Sequence, residues 1–158
     1  MKGDPDVIKQ LNACLTNELT SINQYFLHAR LYDHNGYVKL GKKTYDESIE
    51  EMKHADRLMQ RILLLDGFPN LQDLHKLSIG ETVKERLEAD LGAETRGRAT
   101  LIEAIAVCET KKDYVSRDLL TDILDDTEEH IDFLETQLSV LNEIGVQNYL
   151  QSQYELEG

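Results

Sequence analysis

The chain has 158 residues, 41% hydrophobic and 30% charged, which is enough apolar material for one core and suits long solvated helices in a single domain over 1–158. Its formal charge of −13 (17 basic against 30 acidic residues) argues against nucleic acid and against an anionic membrane surface, and it suits a protein that attracts metal cations. Two prolines and nine glycines leave long uninterrupted stretches, so the chain reads as all-α.

Met1-Lys2-Gly3-Asp4-Pro5 leads straight into amphipathic sequence, with no signal-peptide pattern. Asp4 is placed to cap the first helix, with Pro5 at its first position, and that helix is predicted to run to about His34. Asn35-Gly36 is a stop signal. A second helix is predicted from about Tyr37 to Asp66, ended by Gly67 with Pro69 just beyond. Phe68 to Gly80 lacks periodicity, and its length allows a crossover from one end of a bundle to the other. A third helix is predicted over Glu81 to Thr110, a fourth from near Asp113 to Gly145, and a short fifth from Val146 to Tyr154. No run of about 18 apolar residues exists, so no membrane span is expected. Cys14 and Cys108 follow no ligand spacing and read as buried free thiols in a reducing compartment.

The apolar stripes repeat at three- and four-residue spacing, as helix packing requires. They are interrupted by ionisable residues. Glu18 lies among Leu11, Leu15, Ile22 and Tyr25, and Glu51 and His54 lie between Leu40 and Leu58. Glu94 follows Leu87 and Leu91, and Thr127 and His130 lie between Ile123 and Leu134. The differences 94 − 18, 127 − 51 and 130 − 54 are all 76, so one half offers Glu plus Glu-x-x-His and the other offers Glu plus Thr-x-x-His. A four-helix bundle with two core iron ions uses a Glu from two helices and Glu-x-x-His from the other two. Five of those six groups are present. An unpaired buried carboxylate costs several kcal/mol, roughly, and no Lys or Arg is set beside these groups except Arg61 or Arg98. A metal is therefore the expected neutraliser.

Carboxylates with one His each suit Fe, Mn or Zn rather than Cu(I) or an iron–sulfur cluster. A bridging carboxylate pair would hold two ions about 3.5–4 Å apart, where two irons can pass two electrons to one dioxygen or peroxide. Tyr25, two turns after Glu18, is placed either to hydrogen-bond or reduce a ligand or to be a core tyrosine bonded to a buried carboxylate.

With Glu18, Glu51-Met52-Lys53-His54, Glu94 and His130 the chain resembles the bacterioferritins. Further shared stretches are Asn23-Gln24-Tyr25-Phe26-Leu27-His28, Gly67-Phe68-Pro69-Asn70-Leu71-Gln72, Asp113-Tyr114-Val115-Ser116-Arg117-Asp118 and Asn148-Tyr149-Leu150-Gln151. The resemblance covers the whole chain. It implies a ferritin-like four-helix bundle with a long crossover between helices two and three and a short fifth helix. It implies a bacterial cytoplasmic shell of about 24 copies that stores iron as a ferric mineral. It also implies a ferroxidase centre with non-haem di-iron on Glu18, Glu51, His54, Glu94 and His130. Haem b is implied between two-fold related subunits, held by one Met52 from each, with a small ferredoxin supplying electrons for iron release. Met52 shares its face with Tyr45, Ile49 and Met59, and Leu19, Asn23 and Phe26 offer a matching wall on helix one.

Position 127 departs from the family, which has Glu there. A threonine hydroxyl is neutral and a poor ligand. Asp126 is rotated about 100° from position 127 with a shorter reach, and Glu128 is worse placed. The second ion is therefore expected to bind more weakly unless Asp126, water or a shifted Glu fills the gap. Asp46, Glu47 and Glu50 read as an acidic patch or a solvated face. Two alternatives stand beside an iron-storing ferroxidase. One is a haem-bearing subunit that co-assembles with a second, similar chain and has a weakened centre. The other is a different di-metal carboxylate oxidase.

Overall fold

The protein's structure, a computed structural model, describes residues 1–154. Five helices follow in order: α1 (Pro5–His34), α2 (Val38–Leu64), α3 (Val83–Thr110), α4 (Tyr114–Ile144) and α5 (Val146–Gln151). Each long helix except α2 begins at a side-chain cap. Asp4 accepts from the Asp6 N–H at 2.8 Å, and Thr82 and Glu85 form a reciprocal capping box. Asp113 accepts from the Ser116 N–H at 3.0 Å.

Two predicted ends are corrected. Gly67 does not supply the left-handed residue that closes α2. Asp66 does, at φ 58°, with Asp66 N–H bonded to Leu63 O and Gly67 N–H to Ile62 O, the Schellman pattern. Glycine is needed at 67 for close approach, since a Cβ there would lie 2.9 Å from methyls of both Ile62 and Ile8. The fifth helix stops at Gln151 rather than Tyr154. The chain there turns back onto the α1–α2 corner, with Gln153 O accepting from Lys39 N–H and the Tyr154 ring 5.2 Å from Tyr37.

End-to-end contacts fix the directions. The Gly3 N–H bonds to Leu65 O, so α1 starts where α2 ends. Lys111 reaches Asp4 and Asp6, so α1 also starts where α3 ends, and Arg61 pairs with Asp113 across the end of α2 and the start of α4. The bundle is up-down-down-up, and the crossover over residues 65–82 must return the full length of the molecule. One stripe of α1 holds it in place. Asn12, Thr20, Gln24 and His28 accept from the backbone N–H groups of Asn70, His75, Ser78 and Gly80 in turn. Gln24 and His28 also meet on Asp90 Oδ1, each at 2.8 Å. An irregular segment packed on a helix would leave its amides unsatisfied, and these side chains replace the missing water.

The apolar core is divided. One cluster (Val7, Leu11, Leu15, Leu58, Ile62, Ala104, Leu120, Ile123) fills the end where α1 begins. The other (Tyr32, Leu40, Val83, Leu87, Leu134, Leu141, Tyr149) fills the opposite end. Between them lies a polar layer of Glu18, Tyr25, Glu51, His54, Glu94, Thr127 and His130, all buried. No helix among the described residues is long and apolar enough to cross a membrane. Cys14 and Cys108 are buried and unpaired, and burial raises both thiol pKa values, that of Cys108 to about 11.

Candidate metal centre

Four helices each place polar side chains in the middle layer. The i, i+3 spacing of Glu51 and His54 stacks them on the same face of α2, opposite Glu18 of α1. Glu18, Glu51 and His54 offer ligand atoms that lie within 4.8 Å of one another. His54 Nδ1 is 3.5 Å from Glu18 Oε2 and 3.5 Å from Glu51 Oε2, too far for good hydrogen bonds. Both Glu18 Oε2 and His54 Nδ1 are buried without a partner. Two unsatisfied buried atoms facing each other across such a gap are what a metal cation between them would satisfy, once His54 Nδ1 has given up its proton.

Electrostatics reflect the crowding. Burial raises the Glu18 pKa above the usual carboxylate range, against the pull of His54. Burial alone would lower that of His54, but the Glu18 and Asp126 carboxylates outweigh it and push it up to about 9. On its outer side His54 Nε2 lies 2.8 Å from Asp126 Oδ2. When the ring is neutral, a proton kept on Nε2 and directed at Asp126 leaves the Nδ1 lone pair facing Glu18 and Glu51, the arrangement by which a carboxylate orients a ligating histidine.

The other half is arranged differently. Glu94 Oε1 accepts from Tyr25 Oη at 2.5 Å and lies 2.9 Å from His130 Nδ1. Tyr25 is thus a core tyrosine bonded to a buried carboxylate. Burial, Glu94 and Asp90 hold its phenol well above the usual pKa. The His130 ring is set edge-on to Tyr25 and stacked on Phe133. Burial would lower its pKa, but Glu94 and then Glu47 raise it. The Thr127 hydroxyl donates to Ile123 O at 2.9 Å and is committed to its own helix. Asp126 does not fill the gap, because it is engaged with the far side of His54, and Glu128 is drawn away to Arg98 at 2.8 Å.

A carboxylate that the spacing argument passed over lies in the second half. Glu47, Glu51 and His130 form another group with ligand atoms within 4.8 Å, so Glu51 belongs to both groups. The signal was present in the sequence, since Glu47 and Glu51 are one helical turn apart. A third group, Glu50, His54 and Asp126, lies at the rim. A cavity of about 190 Å³ between α2 and α4 opens over the centre, lined by Lys43, Glu47, Glu50, Glu51, His54, Asp126, Glu129 and His130. Asp46 stays outside this group and pairs with Lys42. Of the cations, Arg61 is bonded to Ser116 and Asp113, and Arg98 to Glu128, so neither serves the layer. Lys43, which the sequence argument did not consider, does approach, with Nζ 2.9 Å from Glu47 Oε1. A larger cavity, about 550 Å³ under the crossover, has no carboxylate in its lining.

Met52 points away from the centre and is 52% exposed. Phe26, 47% exposed, lies 6.2 Å from the Tyr45 ring, and Arg30 stacks over both. The face is narrower than the spacing suggests, because Leu19 and Met59 pack partly against the core.

The family model for the Ferritin-like domain matches residues 8–144. The bacterioferritin of Brucella melitensis is 52% identical over 151 residues, covering 96% of this chain and 94% of its own. That of Streptomyces coelicolor is 49% identical over 152 residues (96% and 91%), and that of Mycobacterium leprae 47% over 149 (94% of each). The two ligand-sized groups that share Glu51 thus sit in a chain that belongs to the ferritin family, among its bacterioferritins.

Proposed function

We propose that this protein stores iron, oxidising Fe(II) at two adjacent ion sites inside each bundle and holding the ferric product in a cytoplasmic shell of about 24 copies. The observation that carries the reading is the pair of buried, unpartnered atoms Glu18 Oε2 and His54 Nδ1, with Glu51 common to both ligand groups. One Fe(II) substrate ion would be held by Glu18, Glu51 and His54, and the second by Glu51 and His130, with Glu94 2.9 Å from His130 Nδ1. Two Fe(II) give up two electrons, and one dioxygen takes them with two protons and leaves as hydrogen peroxide. The two apolar clusters close the layer at both ends, and the acidic opening between α2 and α4 draws in cations. Proton balance involves the histidines, since each must shed a proton from Nδ1 before that atom can bind a metal.

Met52 suits haem b, being a half-exposed thioether on the outer face of α2, so that one Met52 from each of two subunits would hold the group. When bound, haem supplies one-electron transfer, and a small ferredoxin is the matching donor for iron release.

The test is anaerobic loading with Fe(II) followed by dioxygen. Two Fe(II) per chain should oxidise at the centre, and Glu51→Ala should lose both. Oxidation unchanged in Glu51→Ala would overturn the reading. The Thr127 hydroxyl bond to Ile123 favours a second reading, a chain with a weakened second site in a shell mixed with a similar subunit. Regular co-purification of another bacterioferritin chain would support it.

A further inference from the structure

We propose that Glu47 is the carboxylate that serves the second ion in this chain, standing in for the one that Thr127 cannot provide, with Lys43 as the counter-charge it gives up when the ion enters. The inference rests on the two-ion reading above. Its basis is geometric. Glu47 and Glu51 are four residues apart on α2 and so share a helix face. Glu47 Oε2 lies 3.6 Å from His130 Nδ1, and the two residues form a ligand-sized group with Glu51. The Glu47 side chain is only 15% exposed, unlike its neighbours Asp46 and Glu50, which lie on the surface. The unpartnered Glu18 Oε2 and His54 Nδ1 mark the adjoining site, which Glu51 links to this one.

Charge balance points the same way. Glu18, Glu51 and Glu94 alone offer three negative charges to two divalent ions. Glu47 makes four, which neutralises the pair. Without an ion, a mostly buried Glu47 needs a cation, and Lys43 supplies it at 2.9 Å. The Lys43 ammonium also lies 4.8 Å from the centre of the Phe133 ring. It can therefore leave the carboxylate and stay on the ring face, at the exposed rim of the cavity. Lys43 thus competes with the second ion for Glu47.

Anaerobic titration of the assembled protein with Co(II), read by visible absorption and calorimetry, tests this independently of oxidation. The unmodified chain should bind two Co(II). Glu47→Gln should keep the first site and weaken the second by about ten- to a hundredfold, the cost of losing one charged ligand. Thr127→Glu in the Glu47→Gln background should restore the second site. Lys43→Gln should tighten it severalfold and leave the first unchanged. Two sites of unaltered affinity in Glu47→Gln would overturn the role of Glu47, and so would a single site common to that variant and the unmodified chain. An unaltered second site in Lys43→Gln would remove Lys43 from the proposal. If the unmodified chain shows no Co(II) site that His54→Ala abolishes, the two-ion centre itself falls, which is a distinguishable result.

Discussion

Replacing Glu18 by Leu should make the metal-free protein more stable at high pH, with little or no gain near pH 6.5. In the metal-free layer Glu18 Oε2 is buried with no hydrogen-bond partner, and burial raises its pKa. Removing such an atom is worth about 1–3 kcal/mol. Against this stands the ion pair with His54, whose pKa is raised from 6.5 to about 9. A raised histidine pKa stabilises the fold fully below about 6.5, and that contribution is lost as the pH rises through about 9. At 1.36 kcal/mol per pH unit the whole shift is worth about 3 kcal/mol. Glu18 and Asp126 share it, so Glu18→Leu forfeits about half at low pH and nothing once His54 is neutral. The gain should be about 1–3 kcal/mol at pH 9.5 and near zero at pH 6.5. Thermal unfolding of chelator-stripped protein, followed by circular dichroism, should show this as a difference of about 2–4 °C per kcal/mol. The variant should also lose the upward shift that Zn(II) or Fe(II) gives the unmodified chain. A difference between the two proteins that does not vary with pH, or a variant less stable at pH 9.5, would refute the reasoning.

Thr127→Glu should tighten the second ion by about tenfold and speed Fe(II) oxidation, checked by anaerobic titration and stopped-flow absorbance. A second-site affinity and an oxidation rate that Thr127→Glu leaves unchanged would show that Thr127 is no defect. Met52→Leu should abolish a Soret band of at most half a haem per chain, while light scattering still gives a particle of several hundred kDa; haem retained in that variant would place the ligand elsewhere. Gln24→Leu should cost about 2–4 kcal/mol, since it strands the Ser78 N–H and removes a donor from Asp90. Faster hydrogen exchange confined to residues 75–80 should mark the released crossover.

Local signals were enough for the helices and their order. Asp4-Pro5 and Asn35-Gly36 act on backbone groups only a few residues away, so they are readable in one dimension. The 76-residue repeat was readable for a similar reason. Helical periodicity places Glu18, Glu51, His54, Glu94 and His130 inside apolar stripes, and a bundle then has one layer to which they can go. Three matters were decided only when the helices packed. Spacing puts Glu47 on the face of Glu51, but that it comes to His130 depends on the rotation of α2 against α4. Asp126 reaches His54 Nε2 rather than the place of residue 127, because the approach of α4 to α2 sets which side of the ring it meets. The crossover has no period, so its path follows from Asn12, Thr20, Gln24 and His28, which find their partners 52 to 58 residues away in the chain. Periodicity specifies which face of a helix is apolar. Which polar atoms then meet depends on interaxial rotation and distance, and those are set by the packing of all four helices together.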